Sequence, residues 1–166
     1  MKQIYNPYLP NYEYIPDGEP HIFNDRLYIY GSHDRYGANF FCSNDYVLWS
    51  APLDDLCTWT YHGTIYKKKQ DPLNKDNNPL FAPDVLCKNQ TYYLYYCPCN
   101  TRSIGVAKAD TPEGPFVFFN HVKDQNGQLF GQRQNDPYPF DPAVLHENNK
   151  TYLYLGFAPD LRWDFM

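Results

Sequence analysis

The 166-residue chain lacks a long apolar run and is short of positive charge. Its 14 Lys and Arg residues are outnumbered by 19 Asp and Glu residues, for a formal net charge of −5. The one basic run, Lys67-Lys68-Lys69, is typical of a solvated loop. Phosphate binding needs clustered cations, so no nucleic-acid partner is expected. A membrane span needs about 18 consecutive apolar residues, so no membrane partner is expected either.

Neither a leader segment nor a cysteine framework is expected. The N-terminal residues have no apolar segment of the kind that a signal peptide requires. The five cysteines are odd in number, and their spacing fits neither a disulfide scaffold nor paired metal-ligand motifs. We therefore expect a reducing, cytoplasmic location, free thiols, and no cofactor.

Aromatic residues and prolines are what the chain has in abundance. Aromatic residues make up 19% of the sequence, with 17 Tyr, and there are 15 prolines. Prolines interrupt helices, and aromatic residues favour strands, so short strands joined by turns are expected. With so many tyrosines, we expect the rings to present hydroxyls to water or to a polar ligand.

A repeat of about 60 residues organises the chain. Each unit begins with an acid beside a proline, at Glu19-Pro20, Pro83-Asp84 and Asp141-Pro142. A short apolar strand, a polar turn and an aromatic strand follow each time. Further strands are expected at 46–50 and 58–61 in the first unit, and at 104–107 and 116–119 in the second.

Four antiparallel strands per repeat predict an all-β fold, a β-propeller, of which this chain holds about two and a half blades. The expected limits are 15–66 for blade 1, 80–122 for blade 2 and 138–166 for the start of blade 3. A β-sandwich of about ten strands is the alternative. It fits less well, because a sandwich does not require an acid and a proline at every fourth strand.

The repeated acids are expected to converge. The first strand of each propeller blade lines the central channel, so Asp84, Asp141 and either Glu19 or its neighbour Asp17 should meet at one mouth. Carboxylates gathered in this way shift one another's pKa values. Glycoside hydrolysis needs such groups, one to protonate the leaving oxygen and one to activate water. Aromatic rings supply flat faces for sugars.

Several ordered motifs together carry a family resemblance. They are Asn6-Pro7-Tyr8-Leu9-Pro10, Ile15-Pro16-Asp17-Gly18-Glu19-Pro20-His21, Tyr30-Gly31-Ser32-His33-Asp34, Phe81-Ala82-Pro83-Asp84-Val85 and Phe140-Asp141-Pro142-Ala143-Val144. The sequence resembles the N-terminal half of a glycoside hydrolase of family 43. These five-bladed propeller enzymes act on β-xylosides, α-L-arabinofuranosides and related glycans with inversion, which implies an oligosaccharide substrate here.

The resemblance implies catalytic roles for three carboxylates. The acid that opens blade 1 corresponds to the general base, and Asp141 to the residue that tunes the pKa of the general acid and orients it. Alignment from the N-terminal side selects Asp17 as the base, whereas alignment by the proline selects Glu19. We lean slightly to Glu19, because Gly18 gives the backbone the freedom that a longer side chain needs.

Two residues of blade 2 are implied as substrate-binding residues. Asp84 borders the pocket as an acceptor for a sugar hydroxyl or as a structural anchor. Phe81 occupies a place where the family often has Trp.

The general acid of the family, a Glu of the fourth blade, has no counterpart in this sequence. Glu113 lies in the turn before the last strand of blade 2 and is expected to be a rim residue. The resemblance implies that a metal in the axial channel of these enzymes is bound through a His from a late blade. We therefore expect no metal ligands in this sequence.

The sequence leaves two functions open for this chain. The first is a truncated family 43 hydrolase, inactive or nearly so alone, whose unpaired blade edges invite self-association. The second is a non-catalytic sugar-binding propeller or interaction module.

Overall fold

The computed structural model describes residues 6–158, which fold into three successive antiparallel units. The strands are β1 (Glu19–Phe23), β2 (Arg26–Tyr30), β3 (Tyr46–Pro52), β4 (Thr60–Tyr66), β5 (Asp84–Lys88), β6 (Thr91–Tyr96), β7 (Gly105–Ala109), β8 (Val117–His121), β9 (Tyr138–Glu147) and β10 (Lys150–Ala158). A single 3-10 turn spans Lys68–Gln70 in this part of the chain. Across the same residues, no helix has the length and apolarity that crossing a bilayer requires.

The arrangement of strands confirms the all-β prediction of a partial propeller. Strands β1 to β4 form one sheet in sequential order, β5 to β8 form a second, and β9 pairs with β10 as a hairpin. The sheets lie within the expected blade limits, and we call these units blade 1, blade 2 and blade 3. Residues 159–166, which the sequence assigns to blade 3, lie outside the described residues.

The hairpin that opens each unit is set by its turn. Phe23 pairs with Arg26, Lys88 with Thr91, and Glu147 with Lys150, which leaves two residues in each loop. The loop residues all have positive φ; they are Asn24, Asp25, Asn89, Gln90, Asn148 and Asn149. Positive φ at both central positions is the condition for a type I′ turn, whose twist matches that of the flanking strands. The polar turns therefore fix the register of all three hairpins.

Strand β4 differs from the sequence-based expectation of 58–61. It begins at Thr60 and continues to Tyr66. Its pairing with β3 skips His62, next to Gly63, whose φ is 76°. A bulge of this kind accommodates one extra residue in β4, so that pairing with β3 continues beyond it.

The main core lies between the facing sheets of blades 1 and 2. Its members are Tyr28, Tyr30, Tyr46, Leu48, Ile65, Tyr66, Leu80, Val85, Tyr92, Leu94, Tyr96, Ala107, Ala109 and Phe116. The expectation that the tyrosines face water or a ligand was wrong for these residues. Their hydroxyls bond inside the protein: the Tyr66 and Tyr96 oxygens are 2.5 Å apart, and Tyr96 donates to Asp71 at 2.8 Å. A buried tyrosine needs such a partner.

A second, smaller cluster joins blade 2 to the start of blade 3. It contains Cys42, Phe81, Cys97, Cys99, Ile104 and Tyr138, with Phe140 packed against it. The Cys97 thiol donates to the Pro139 carbonyl at 3.2 Å, which ties the end of β6 to the beginning of β9. No disulfide joins any of the five cysteines, all of which lie within residues 6–158.

Candidate active site

Asp17 lies in the segment that leads into β1. The Ser32 N–H donates to the Pro16 carbonyl at 3.1 Å, so this segment is pinned against the chain that follows β2. A Cβ on Gly31 would come within 2.5 Å of the Ile15 side chain, and only glycine permits this approach. Asp17 itself is exposed and has a φ of 54°, a left-handed conformation that Asp tolerates better than most residues.

The same segment is fastened by Glu13, which the sequence reasoning did not identify. One Glu13 oxygen lies 2.9 Å from His33 Nε2, and the other accepts from Trp49 Nε1 at 2.8 Å. His33 also meets the Asp45 carbonyl through Nδ1 at 2.9 Å. Glu13 therefore fixes the chain four residues before Asp17. In the sequence, Glu13 is an isolated acid in an aromatic-rich segment. That pattern does not reveal the hydrogen-bond partners of Glu13.

Asp141 occupies a bulge in β9. Strand β10 pairs Leu155 with Pro142 and Gly156 with Phe140, so Asp141 has no opposite residue. Its φ is 44°, again left-handed. A bulge leaves its extra residue out of the ladder and turns its side chain in a new direction, and such irregularities often lie next to active sites.

The environment of Asp141 raises its pKa to about 6, mainly through burial and further through the negative charge of Asp17. The residue is nevertheless exposed to water. The charge of Asp17, at the entry to blade 1, thus acts on a carboxyl of blade 3. A carboxyl whose pKa is shifted toward neutrality by burial and by a like charge is typical of a functional site.

The Cys42 thiol also lies near this pair. Burial raises its pKa to about 11, and the charges of Asp17 and Asp141 act in the same direction. Burial likewise raises the pKa of the Cys97 thiol, and the Asp141 charge adds to that effect. Raised pKa values keep both thiols protonated and unreactive. The charge of Asp141 therefore acts on both buried thiols, and that of Asp17 acts on the Cys42 thiol.

Glu19 occupies a different position from Asp17. It is the first residue of β1, is exposed, and pairs with Tyr30. Side chains two apart on a strand share a face, so Glu19 lies on the face of His21, which contacts Asp84 in blade 2. Of the two candidate bases, Asp17 is the one whose charge acts on Asp141.

Asp84 connects all three units. Its Oδ1 accepts a hydrogen bond from His21 Nε2 at 2.6 Å and another from the backbone N–H of Val85 at 2.7 Å. Its Oδ2 accepts from the Val144 N–H at 2.6 Å. The side chain is only 7% exposed. Of the two roles expected for Asp84, these contacts favour the structural anchor over the acceptor for a sugar hydroxyl.

Phe81 does not offer a free face to a sugar. It is 3% exposed, stacks with Phe41 at a centroid distance of 5.8 Å, and meets the edge of Phe140 at 5.1 Å. Phe81 is thus covered by other rings, and its expected role as a substrate-binding residue stays a prediction. The ring that covers it, Phe41, is 45% exposed.

Glu113 lies in the turn between β7 and β8, as the sequence indicated. It accepts a hydrogen bond from the Tyr28 hydroxyl at 2.5 Å. Burial opposes its ionisation, but hydrogen bonds, led by that of Tyr28, outweigh burial and lower its pKa. A carboxyl with a lowered pKa is a poor proton donor, so Glu113 is unsuited to be the general acid. Among residues 6–158, no group of three or more His, Cys, Asp or Glu side chains is placed to hold a metal ion.

Comparison with known proteins decides the family. The sequence profile described as Glycosyl hydrolases family 43 matches residues 13–160. The chain belongs to this family. A xylosidase/arabinosidase of Thermoclostridium stercorarium is 54% identical over 160 residues, which cover 95% of this chain and 34% of that protein. A xylosidase/arabinosidase 43A of Humicola insolens is 35% identical over 86% of this chain and 43% of its own length.

Solved family 43 structures agree with the partial propeller. The structure of a GH43_1 enzyme from Xanthomonas citri complexed with xylose superposes with a TM-score of 0.68 at 29% identity. The match covers 87% of this chain and 40% of that one. The chain therefore spans between a third and a half of the length of these family 43 relatives.

The pairing of the two carboxylates gives a prediction for the 166-residue chain. Asp141 should titrate with a midpoint of about 6, and Asp17→Asn should lower that midpoint because it removes a like charge. Carbon NMR of the Asp141 carboxyl measures it, with Glu19→Gln as the matched control that should leave it in place. An equal midpoint in the parent and in Asp17→Asn would show that the two groups do not interact.

The raised pKa of Asp141 also makes the stability of the folded chain depend on pH. The folded pKa of Asp141 lies above the ordinary value of 3.8, so the folded state holds its proton more tightly than the unfolded state. The contribution of Asp141 to stability is therefore fully present below the unfolded pKa. It is lost as the pH rises through about 6.

Proposed function

We propose that this chain forms part of a glycoside hydrolase in which Asp17 is the general base and Asp141 modulates the general acid. The observation that carries the proposal is the coupling of these two carboxylates, with the pKa of Asp141 raised to about 6. The proposed substrates are short oligosaccharides with β-xylosyl or α-L-arabinofuranosyl units. The names of the family 43 relatives support this choice.

The proposed mechanism inverts the anomeric centre. Ionised Asp17 removes a proton from a water, and the water attacks the anomeric carbon on the face opposite the leaving oxygen. A carboxylic acid protonates that oxygen as the bond breaks. Ionised Asp141 adds negative charge beside the acid, which raises the pKa of the acid and keeps it protonated. We assign the acid to a Glu outside the 166-residue sequence, as the family resemblance implies.

The choice of Asp17 over Glu19 as base departs from the preference that the proline alignment gave. Three features support it: Asp17 precedes the strand, its segment is fastened by Glu13, and its charge acts on Asp141. Glu19 shares its strand face with His21, which is engaged with blade 2. Glu19 is the alternative base.

The test of the proposed function uses the protein expressed from its complete reading frame. We expect it to hydrolyse aryl β-xylosides or aryl α-L-arabinofuranosides, and proton NMR should show the first-formed sugar with the inverted configuration. Retention of configuration would contradict the proposed roles. Binding of xylobiose without hydrolysis would favour the alternative of a non-catalytic sugar-binding propeller.

The proposal includes a reducing, cytoplasmic location and association of the isolated chain with itself. The lack of a disulfide among the cysteines of residues 6–158 supports the first. Exposed apolar side chains in β1 and β10 support the second, among them Ile22 at 62% and Tyr154 at 58% exposure.

A further inference from the structure

An exposed ring lies at the end of a row of aromatic side chains that leads away from Asp141. Phe140, the neighbour of Asp141, meets Phe81 edge-on at 5.1 Å. Phe81 stacks with Phe41 at 5.8 Å and an interplanar angle of 27°, and Phe41 has 45% of its surface exposed. Phe40 packs beside it at 4.3 Å. Phe81 is thus a buried ring with a second ring, Phe41, over it.

The loop that carries Phe41 is held firmly. The N–H of Cys42, the next residue, donates to the Asp34 carboxylate, and the Leu80 N–H donates to the Cys42 carbonyl at 3.2 Å. Cys42 has a φ of 54° and is 2% exposed. Phe41 therefore sits next to a buried and hydrogen-bonded residue. A ring placed in this way loses little freedom when a ligand binds, which favours affinity.

Ring contacts connect the loop to the neighbour of Asp141. Phe41 packs on Phe81, which packs on Phe140, the residue before Asp141. Burial raises the pKa of the Cys42 thiol, next to Phe41 in the chain, and the charges of Asp17 and Asp141 add to that effect. An aromatic face supplies apolar contact and carboxylates supply hydrogen-bond acceptors, a combination that suits a neutral sugar ring.

We propose that Phe41, rather than Phe81, is the platform on which a neutral pentosyl ring stacks at the Asp17 and Asp141 site. The proposal rests on the proposed function, and it names the residue that determines how that site holds its sugar. The C–H face of the sugar covers the exposed ring, while Phe81 supports that ring from below. Phe41 acts as a binding residue and takes no part in proton transfer.

The experiment measures binding of xylose and xylobiose to the 166-residue chain by saturation-transfer NMR. Phe41→Leu keeps apolar packing on Phe81 but removes the flat ring, and it should weaken binding about fivefold to tenfold. Phe41→Trp should restore or strengthen binding. The matched control is Phe119→Leu, since Phe119 is similarly exposed at 51% but lies in the last strand of blade 2.

The outcomes separate the two proposals. If the parent binds a pentose and Phe41→Leu binds it equally well, the platform is wrong and the proposed function stands. If the folded parent binds neither sugar, both the platform and the substrate class are overturned. A loss of binding in Phe41→Leu that Phe41→Trp does not restore contradicts a stacking role as well. Weakening by Phe119→Leu to the same extent assigns the effect to the fold rather than to Phe41.

Discussion

Asp17→Asn is expected to lower kcat for aryl β-xyloside hydrolysis by about 10³-fold in the protein expressed from its complete reading frame. Asparagine keeps the size of the side chain but cannot accept a proton from water. The loss should fall on kcat with little change in KM, because the base acts on the water in the transition state. Steady-state kinetics measures both parameters.

Glu19→Gln is the matched variant, since it makes the same chemical change two residues along the chain. We expect it to alter kcat by less than about tenfold, because the charge that acts on Asp141 is that of Asp17. If Glu19→Gln caused the large loss and Asp17→Asn the small one, the two roles would be exchanged. A further check is external azide, which restores activity to glycosidases that lack their base by acting as the nucleophile. Rescue should occur in Asp17→Asn alone.

The second large effect is expected at Asp84. Asp84→Ala removes an acceptor that serves His21 and the Val85 and Val144 N–H groups. Each buried donor left without a partner costs about 1–3 kcal/mol, so the free energy of unfolding should fall by about 3–5 kcal/mol. This is a large part of the 5–15 kcal/mol that a domain typically has. Urea unfolding followed by Trp fluorescence measures it.

Two further variants make the Asp84 result specific. Asp84→Asn retains one acceptor oxygen but turns an NH₂ group toward a donor, so it should destabilise less than Asp84→Ala. Asp54→Ala, at an exposed position, should stay within about 0.5 kcal/mol of the parent. Parental stability in Asp84→Ala would mean that the three contacts contribute nothing net, and the structural assignment would fail.

The repeat was enough to predict the strands and their order. Strand alternation and turn chemistry are local properties, so the pattern from Glu19 to Tyr30 and its two later copies could be read directly. The convergence of the repeat acids at one mouth also came from the repeat, and it stays a prediction. The irregular backbone that places Asp141 could not be predicted, because the bulge depends on how β10 pairs with β9.

Residues that depend on distant partners escaped the sequence reasoning. Glu13 is fixed by His33 and Trp49, and nothing near Glu13 in the sequence announces them. The burial of Phe81 could not be predicted from its own segment, because the ring that covers it, Phe41, comes from a loop in blade 1. The buried tyrosine hydroxyls were missed for the same reason, since Tyr96 finds Asp71 only after blades 1 and 2 have packed. Such contacts are set by tertiary packing.

The hydrogen bonds of Asp84 also bear on the order in which the molecule assembles. They reach His21, 63 residues earlier, and Val144, 60 residues later. Contacts that close long loops form slowly, because the chain must lose much entropy before they stabilise it. Each hairpin can form early through its own turn, whereas the meeting of Asp17 with Asp141 must await the docking of all three units. Protection of the Val144 amide from hydrogen exchange during refolding should therefore appear in the last kinetic step of folding. In that step Asp17 and Asp141 first come together.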